Sequence, residues 1–102
     1  MYLVQVLLPL FDNAGLPFPA AHFRDVRHTL TARFGGMTAY TRAPAEGLWQ
    51  DEGERTTRDD IVIYEVMTEA LDEEWWQTWR AELEARFRQD RVVIRATSSR
   101  LL

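Results

Sequence analysis

The pentapeptide Leu30-Thr31-Ala32-Arg33-Phe34 returns 53 positions later as Leu83-Glu84-Ala85-Arg86-Phe87. The apolar pattern around it travels with the same offset: Phe23, Val26, Leu30 and Phe34 are matched by Trp76, Trp79, Leu83 and Phe87. Apolar side chains three and four residues apart share one face of an α-helix. Each copy therefore carries a helix with one buried stripe, and the chain reads as one unit built twice. The offset also carries Ala39 onto Val92, Thr41 onto Ile94 and Arg42 onto Arg95, which places a strand after each helix.

The remaining runs complete the pattern. Tyr2 to Leu8 is apolar on both faces except at Gln5, as expected of a strand in the centre of a sheet, and Pro9 ends it. The loop from Leu10 to Pro17 is built of turn formers, and a helix is predicted from about Pro19 to Phe34, closed by Gly35-Gly36. Met37 to Arg42 reads as a second strand stopped near Pro44, which Gly47-Leu48-Trp49-Gln50 can resume; Asp51 to Glu54 is a plausible turn before the third strand, Ile61 to Met67. Asp72 can cap a second helix whose first turn carries Glu73 and Glu74, favourable beside the positive end of the helix dipole. That helix is expected to end near Asp90, with a last strand over Arg91 to Thr97. The order strand, helix, strand, strand, helix, strand, combined with right-handed crossovers, predicts a ferredoxin-like βαββαβ sandwich. Its four-stranded antiparallel sheet has the order 4-1-3-2 and both helices on one face. At 102 residues the chain has room for a single domain, 1–102. The stretch from Pro44 to Arg58 is the expected mobile part.

Absent side chains exclude much chemistry. There is no cysteine and no lysine, and the only serines are Ser98 and Ser99. A thiol nucleophile, a thiolate metal site, a lysine Schiff base and a phosphate loop with its lysine are ruled out. All twelve basic residues are arginine, and the net charge of -4 argues against general binding to nucleic acid. No apolar run approaches the roughly 20 residues of a membrane-spanning helix. Met1 leads directly into a strand, so a cytoplasmic protein of bacterial type is expected.

A period of two divides the sheet into faces. Val4, Val6, Ala39, Thr41, Val62, Tyr64, Val66, Val92, Ile94 and Ala96 suit a layer beneath the helices. The other face collects Leu3, Leu7, Ile61, Ile63, Met67 and Val93, mixed with Gln5, Thr38, Tyr40, Arg42, Glu65, Arg95 and Thr97. Six large aliphatic side chains on an open sheet exceed the few hundred square ångströms of contiguous apolar surface that a monomer usually tolerates. A second copy is the simplest cover, so a homodimer is expected.

Glu65 interrupts an apolar strand near Gln5, Arg42 and Arg95, and is the first candidate for a general base; an interfacial ion pair with arginine is the competing role. Tyr40 can donate to a bound carbonyl or simply pack across strands. Arg42 and Arg95 present forks that match a ligand carboxylate. His22, Asp25 and His28 recur at intervals of three, but Asp25 and His28 lie opposite the core stripe, and too few histidines remain for a metal site. His22 flanks the stripe near the helix start and is retained as a candidate for proton transfer. Trp49, following Gly47 on the hairpin arm, can close a pocket or reach a partner subunit.

With these faces assigned, the chain resembles the dimeric α/β-barrel superfamily, in which two ferredoxin-like subunits place their open faces together. The stretches Met1-Tyr2-Leu3-Val4-Gln5-Val6, Phe34-Gly35-Gly36-Met37-Thr38 and Gly47-Leu48-Trp49 resemble segments of small bacterial proteins of this kind. The superfamily includes cofactor-free monooxygenases, haem-degrading enzymes, muconolactone isomerase-like proteins and stress-response proteins. The resemblance implies a cleft between the open face and its covering loops or partner; from the residues present, neither a cofactor nor a metal is expected. The asparagine, histidine and tryptophan set of the haem-degrading members is not matched, because Asn13 is the only asparagine and lies in a loop. The expected function is therefore binding of a small apolar or aromatic metabolite on the open face, as a cofactor-independent monooxygenase or isomerase. Glu65, His22 and Tyr40 would be catalytic, and Gln5, Arg42, Trp49 and Arg95 ligand-binding. The alternative is a non-catalytic interaction protein whose open face is only a dimer interface.

Overall fold

The computed structural model describes residues 1–42 and 60–102, with the side chain of Arg42 left out. Strand β1 (Tyr2–Pro9) leads through a loop to α1 (Ala20–Phe34); β2 (Thr38–Arg42), β3 (Ile61–Thr68), α2 (Glu73–Arg86) and β4 (Val93–Ser98) follow. The sheet order is β2-β3-β1-β4, and all three pairings are antiparallel. This is the ferredoxin-like arrangement expected from the repeat.

Local chemistry accounts for the element ends. Gly35 adopts φ 83°, a left-handed conformation open to glycine, and its N–H donates to Thr31 O to close α1. Asp72 caps α2 by accepting from the Trp75 N–H at 3.2 Å. Helix α2 stops four residues before the expected end at Asp90: Phe87 completes the buried stripe and the next residue, Arg88, leaves the helix with φ 50°. The last strand accordingly begins at Val93 and not at Arg91.

One core joins the two layers. Val4, Val6, Leu8, Val62, Tyr64 and Val66 meet Val26 and Leu30 from α1 and Trp76, Trp79, Leu83 and Phe87 from α2. Val6, Leu8, Val26, Leu30, Leu83 and Phe87 are wholly excluded from solvent. Burying each such side chain contributes about 1.5–3 kcal/mol, and the pairs Leu30/Leu83 and Val26/Trp79 show that the repeat is a repeat of core positions. Phe34 stacks on Trp76 at 5.2 Å and meets Trp75 edge-on, so Trp75 joins this aromatic group. Arg33 ties the two helices together from outside, lying 4.3 Å above the Trp75 ring and 3.3 Å from Asp72.

The helix layer is narrower than the alternation predicts. Ala39, Thr41 and Ala96, assigned to the covered face, are exposed. Helix α1 packs over β3 and α2 over β4, and the positions of Ala39 and Thr41 on β2 and of Ala96 on β4 are left bare. The open face departs in the other sense: Leu3, Leu7 and Ile61 are half-buried and Ile63 is buried, while Met67 and Val93 are exposed. Leu7 and Tyr40 flank Ile63 on the two neighbouring strands, and this cross-strand shielding is invisible to a count of apolar residues. The expected resumption of β2 at Gly47 to Gln50, the turn at Asp51 to Glu54 and the mobile stretch Pro44 to Arg58 lie outside the described residues. Among the described residues, no helix is long and apolar enough to cross a membrane.

Candidate functional site

Each of the four strands places one polar side chain in a row across the open face. Register sets the row: Gln5 on β1 lies opposite Glu65 on β3 and opposite Arg95 on β4, and Tyr40 on β2 is diagonal to Glu65, two residues along from its direct partner Thr38. The side chains are joined. Arg95 Nε donates to Gln5 Oε1 at 2.8 Å, Gln5 Nε2 donates to Glu65 Oε2 at 3.1 Å, and the Tyr40 hydroxyl donates to the same Glu65 oxygen at 2.8 Å. Gln5 Nε2 also lies 3.2 Å from the Tyr40 hydroxyl oxygen, which accepts from it.

The chemistry of the neighbours fixes the Gln5 amide. Arginine can only donate and an ionised carboxylate can only accept, so the amide oxygen must face Arg95 and its nitrogen Glu65. Gln5 thus spans between a cation and an anion and holds both at set positions. Tyr40 responds to this arrangement. Its pKa is raised above the ordinary 10.0, first because the phenol proton is held by the Glu65 carboxylate, with partial desolvation and the charge of Glu65 acting in the same direction; the Gln5 hydrogen bond and Arg95 pull the other way. Tyr40 is therefore a neutral phenol at physiological pH, a donor and not a nucleophilic phenolate.

The row has unused capacity facing outward. Among the described residues, Glu65 Oε1 and the two terminal nitrogens of Arg95 make no hydrogen bond. An acceptor and a forked donor therefore stand on either side of Gln5, bordered by Leu7, Ile63, Met67 and Val93. Such a surface can hold a flat apolar body while sorting its polar groups by sign.

Four of the seven residues expected from sequence come together here: Gln5, Tyr40, Glu65 and Arg95. His22 does not join them. It is half-buried on the helix side of the sheet, 5.3 Å from the Phe87 ring and 6.1 Å from that of Phe18. In the first turn of α1, His22 meets the rings of Phe18 and Phe87 in the apolar layer, so its placement at the cleft is corrected. Arg42 ends β2 opposite Ile61, with its side chain not described, and Trp49 lies outside the described residues. Among the described residues no group of three His, Asp or Glu is placed to hold a metal ion.

The other side of the sheet carries a cleft that alternation and helical period do not predict. Between α2 and β4, on the helix side, Val4, Leu71, Trp76 and Ile94 form the apolar part of a cleft of about 170 Å³ with Glu73 and Arg80 among its polar lining residues. The signal available in sequence was Ala96, a small residue where the repeat and the alternation call for a covered position.

No protein-family model matches the chain, and no curated protein is significantly similar to it. A solved structure of a phage SAM lyase in complex with S-methyl-5'-thioadenosine superposes with a TM-score of 0.58, covering 94% of this chain and 79% of that one at 14% identity. At that identity the likeness is one of fold. It supports the compact α+β arrangement described above.

Proposed function

We propose that the open face of the sheet is a binding site for a small metabolite with a flat apolar body, and that the Tyr40–Glu65–Gln5–Arg95 row reads its polar groups. The observation that carries this reading is the row itself: four hydrogen-bonded polar side chains, one per strand, set among the aliphatic residues Leu3, Leu7, Ile63, Met67 and Val93. A sheet that only needed to meet a partner gains little from joining a cation to an anion through an amide, since apolar residues of the same size pack at least as well. In the ligand complex, Glu65 accepts from a hydroxyl or amine, Arg95 holds an oxygen-rich or anionic group, and the apolar body lies on Leu7, Ile63 and Val93. Nucleoside thioethers of the kind held by the structural neighbour meet this description, with a flat base and two ribose hydroxyls.

The 2.8 Å contact between Tyr40 and Glu65 favours one chemistry over another. A carboxylate base beside a neutral phenol is suited to moving a proton between two positions of a ligand, with Glu65 Oε1 removing it and the Tyr40 hydroxyl turning from Glu65 to donate to the ligand oxygen. An isomerase-type proton shift therefore fits better than oxygen insertion. The competing role of the face, as the interface of a homodimer, is favoured by the exposure of Met67 and Val93.

Calorimetric titration with S-methyl-5'-thioadenosine, followed by native mass spectrometry of the same sample, tests both. Saturable binding that Glu65→Gln weakens about tenfold, the loss of one charge-assisted hydrogen bond, supports the ligand site. A bare dimer with no retained or added ligand, unchanged by Glu65→Gln, supports the interface instead.

A further inference from the structure

Strand β4 is an edge of the sheet. Its inner side pairs with β1, and among the described residues no strand pairs with its outer side. A free edge presents unpaired backbone N–H and C=O groups to any extended chain that meets it. Directly beside this edge lies the α2–β4 cleft, where Ala96 is exposed above buried Val4 and Trp76. At about 170 Å³ the cleft is well below the roughly 300–1,000 Å³ of a metabolite pocket, and it suits one large aliphatic side chain.

The other face of the same strand carries Arg95, whose terminal nitrogens bond nothing among the described residues. Arg91 and Arg100, both exposed, flank the strand. In a chain of net charge -4, this edge is a local reversal of sign. Side chains alternate along a strand, so a segment added to β4 directs one set of residues to the cleft and the other to Arg95. Both observations specify the same partner.

We propose that the outer edge of β4 and the α2–β4 cleft dock an extended protein segment in which apolar residues alternate with carboxylates. Its backbone pairs with β4, one aliphatic side chain enters the cleft over Ala96, and a carboxylate meets the Arg95 fork. The same guanidinium serves the open face, so a docked segment and a ligand anion compete for it.

Fluorescence anisotropy on the whole chain tests this with a labelled peptide of alternating Leu and Glu. Two analogues serve as controls, one with Lys in place of Glu and one N-methylated at alternate residues to remove backbone donors. Saturable binding of the Leu/Glu peptide, with both analogues at least tenfold weaker, is the expected result. Ala96→Glu, which places a like charge at the mouth of the cleft, is expected to weaken binding by a similar factor. If that variant fails to fold, the analogues on the unmodified protein still decide. Equal binding of either analogue overturns the proposal. So does the absence of saturable binding, which would leave Arg95 as a charge that guards the edge against pairing.

Discussion

Glu65 controls the behaviour of the open face one residue at a time. Its carboxylate holds the Tyr40 proton, so Glu65→Gln is expected to bring the Tyr40 pKa down toward the ordinary 10.0. Absorbance titration of the phenols above neutral pH measures this, with Tyr40→Phe identifying the signal. The sign for stability follows from the direction of the shift. A phenol whose pKa is higher folded than unfolded stabilises the fold fully below the unfolded value, about 10, and loses that contribution as pH rises through the folded value. Alkaline unfolding monitored by circular dichroism should therefore be shallower in Tyr40→Phe than in the parent. A slope identical in the two would mean that the Tyr40–Glu65 bond is not formed in solution. Alternation places Gln5 on the open face near Glu65 and makes it a ligand-binding candidate. Its role as the link between Arg95 and Glu65 depends on pairing register, which becomes visible only when the strands are laid side by side.

At the level of elements, the repeat was the most legible feature, since it rests on a helical period that each copy obeys independently. Leu30 and Leu83 occupy matched, fully buried positions, and Leu→Ala at either is expected to cost about 2–5 kcal/mol in urea unfolding. A loss below about 1 kcal/mol at one site alone would break the equivalence. The caps were equally readable: Asp72→Ala removes the bond to the Trp75 N–H and the contact with Arg33, for an expected loss of about 1 kcal/mol. Gly35→Ala at φ 83° should cost about 1 kcal/mol through the same assay. Element edges were less legible. The end of α2 falls where Arg88 takes φ 50°, and the exposure of Ala39, Thr41 and Ala96 follows from where the two helices lie on the sheet; neither carries a local sequence signal. His22 shows the same limit, because its distance from the helix stripe gave a direction but not the rings of Phe18 and Phe87 that receive it.

Across the whole molecule, the sheet separates two jobs. One face is filled by the repeated helices and holds the fold together; the other carries a hydrogen-bonded row from edge to edge and leaves Glu65 Oε1 and the Arg95 fork unoccupied among the described residues. Period-two patterning was enough to assign residues to those faces, and it gathered Gln5, Tyr40, Glu65 and Arg95 on one of them. The side-chain amide of Gln5 sits at the centre of the row and gives its own pair of signals in a proton–nitrogen NMR spectrum. Titrating a panel of nucleosides, nucleoside thioethers and aromatic carboxylates into nitrogen-labelled protein is the most direct test of the ligand site. The expected result is that any member that binds shifts the Gln5 amide together with the Arg95 Nε–H, and that Glu65→Gln suppresses both shifts. Binding that moves signals elsewhere while the Gln5 amide and Arg95 Nε–H stay fixed would contradict the assignment of the open face as the site.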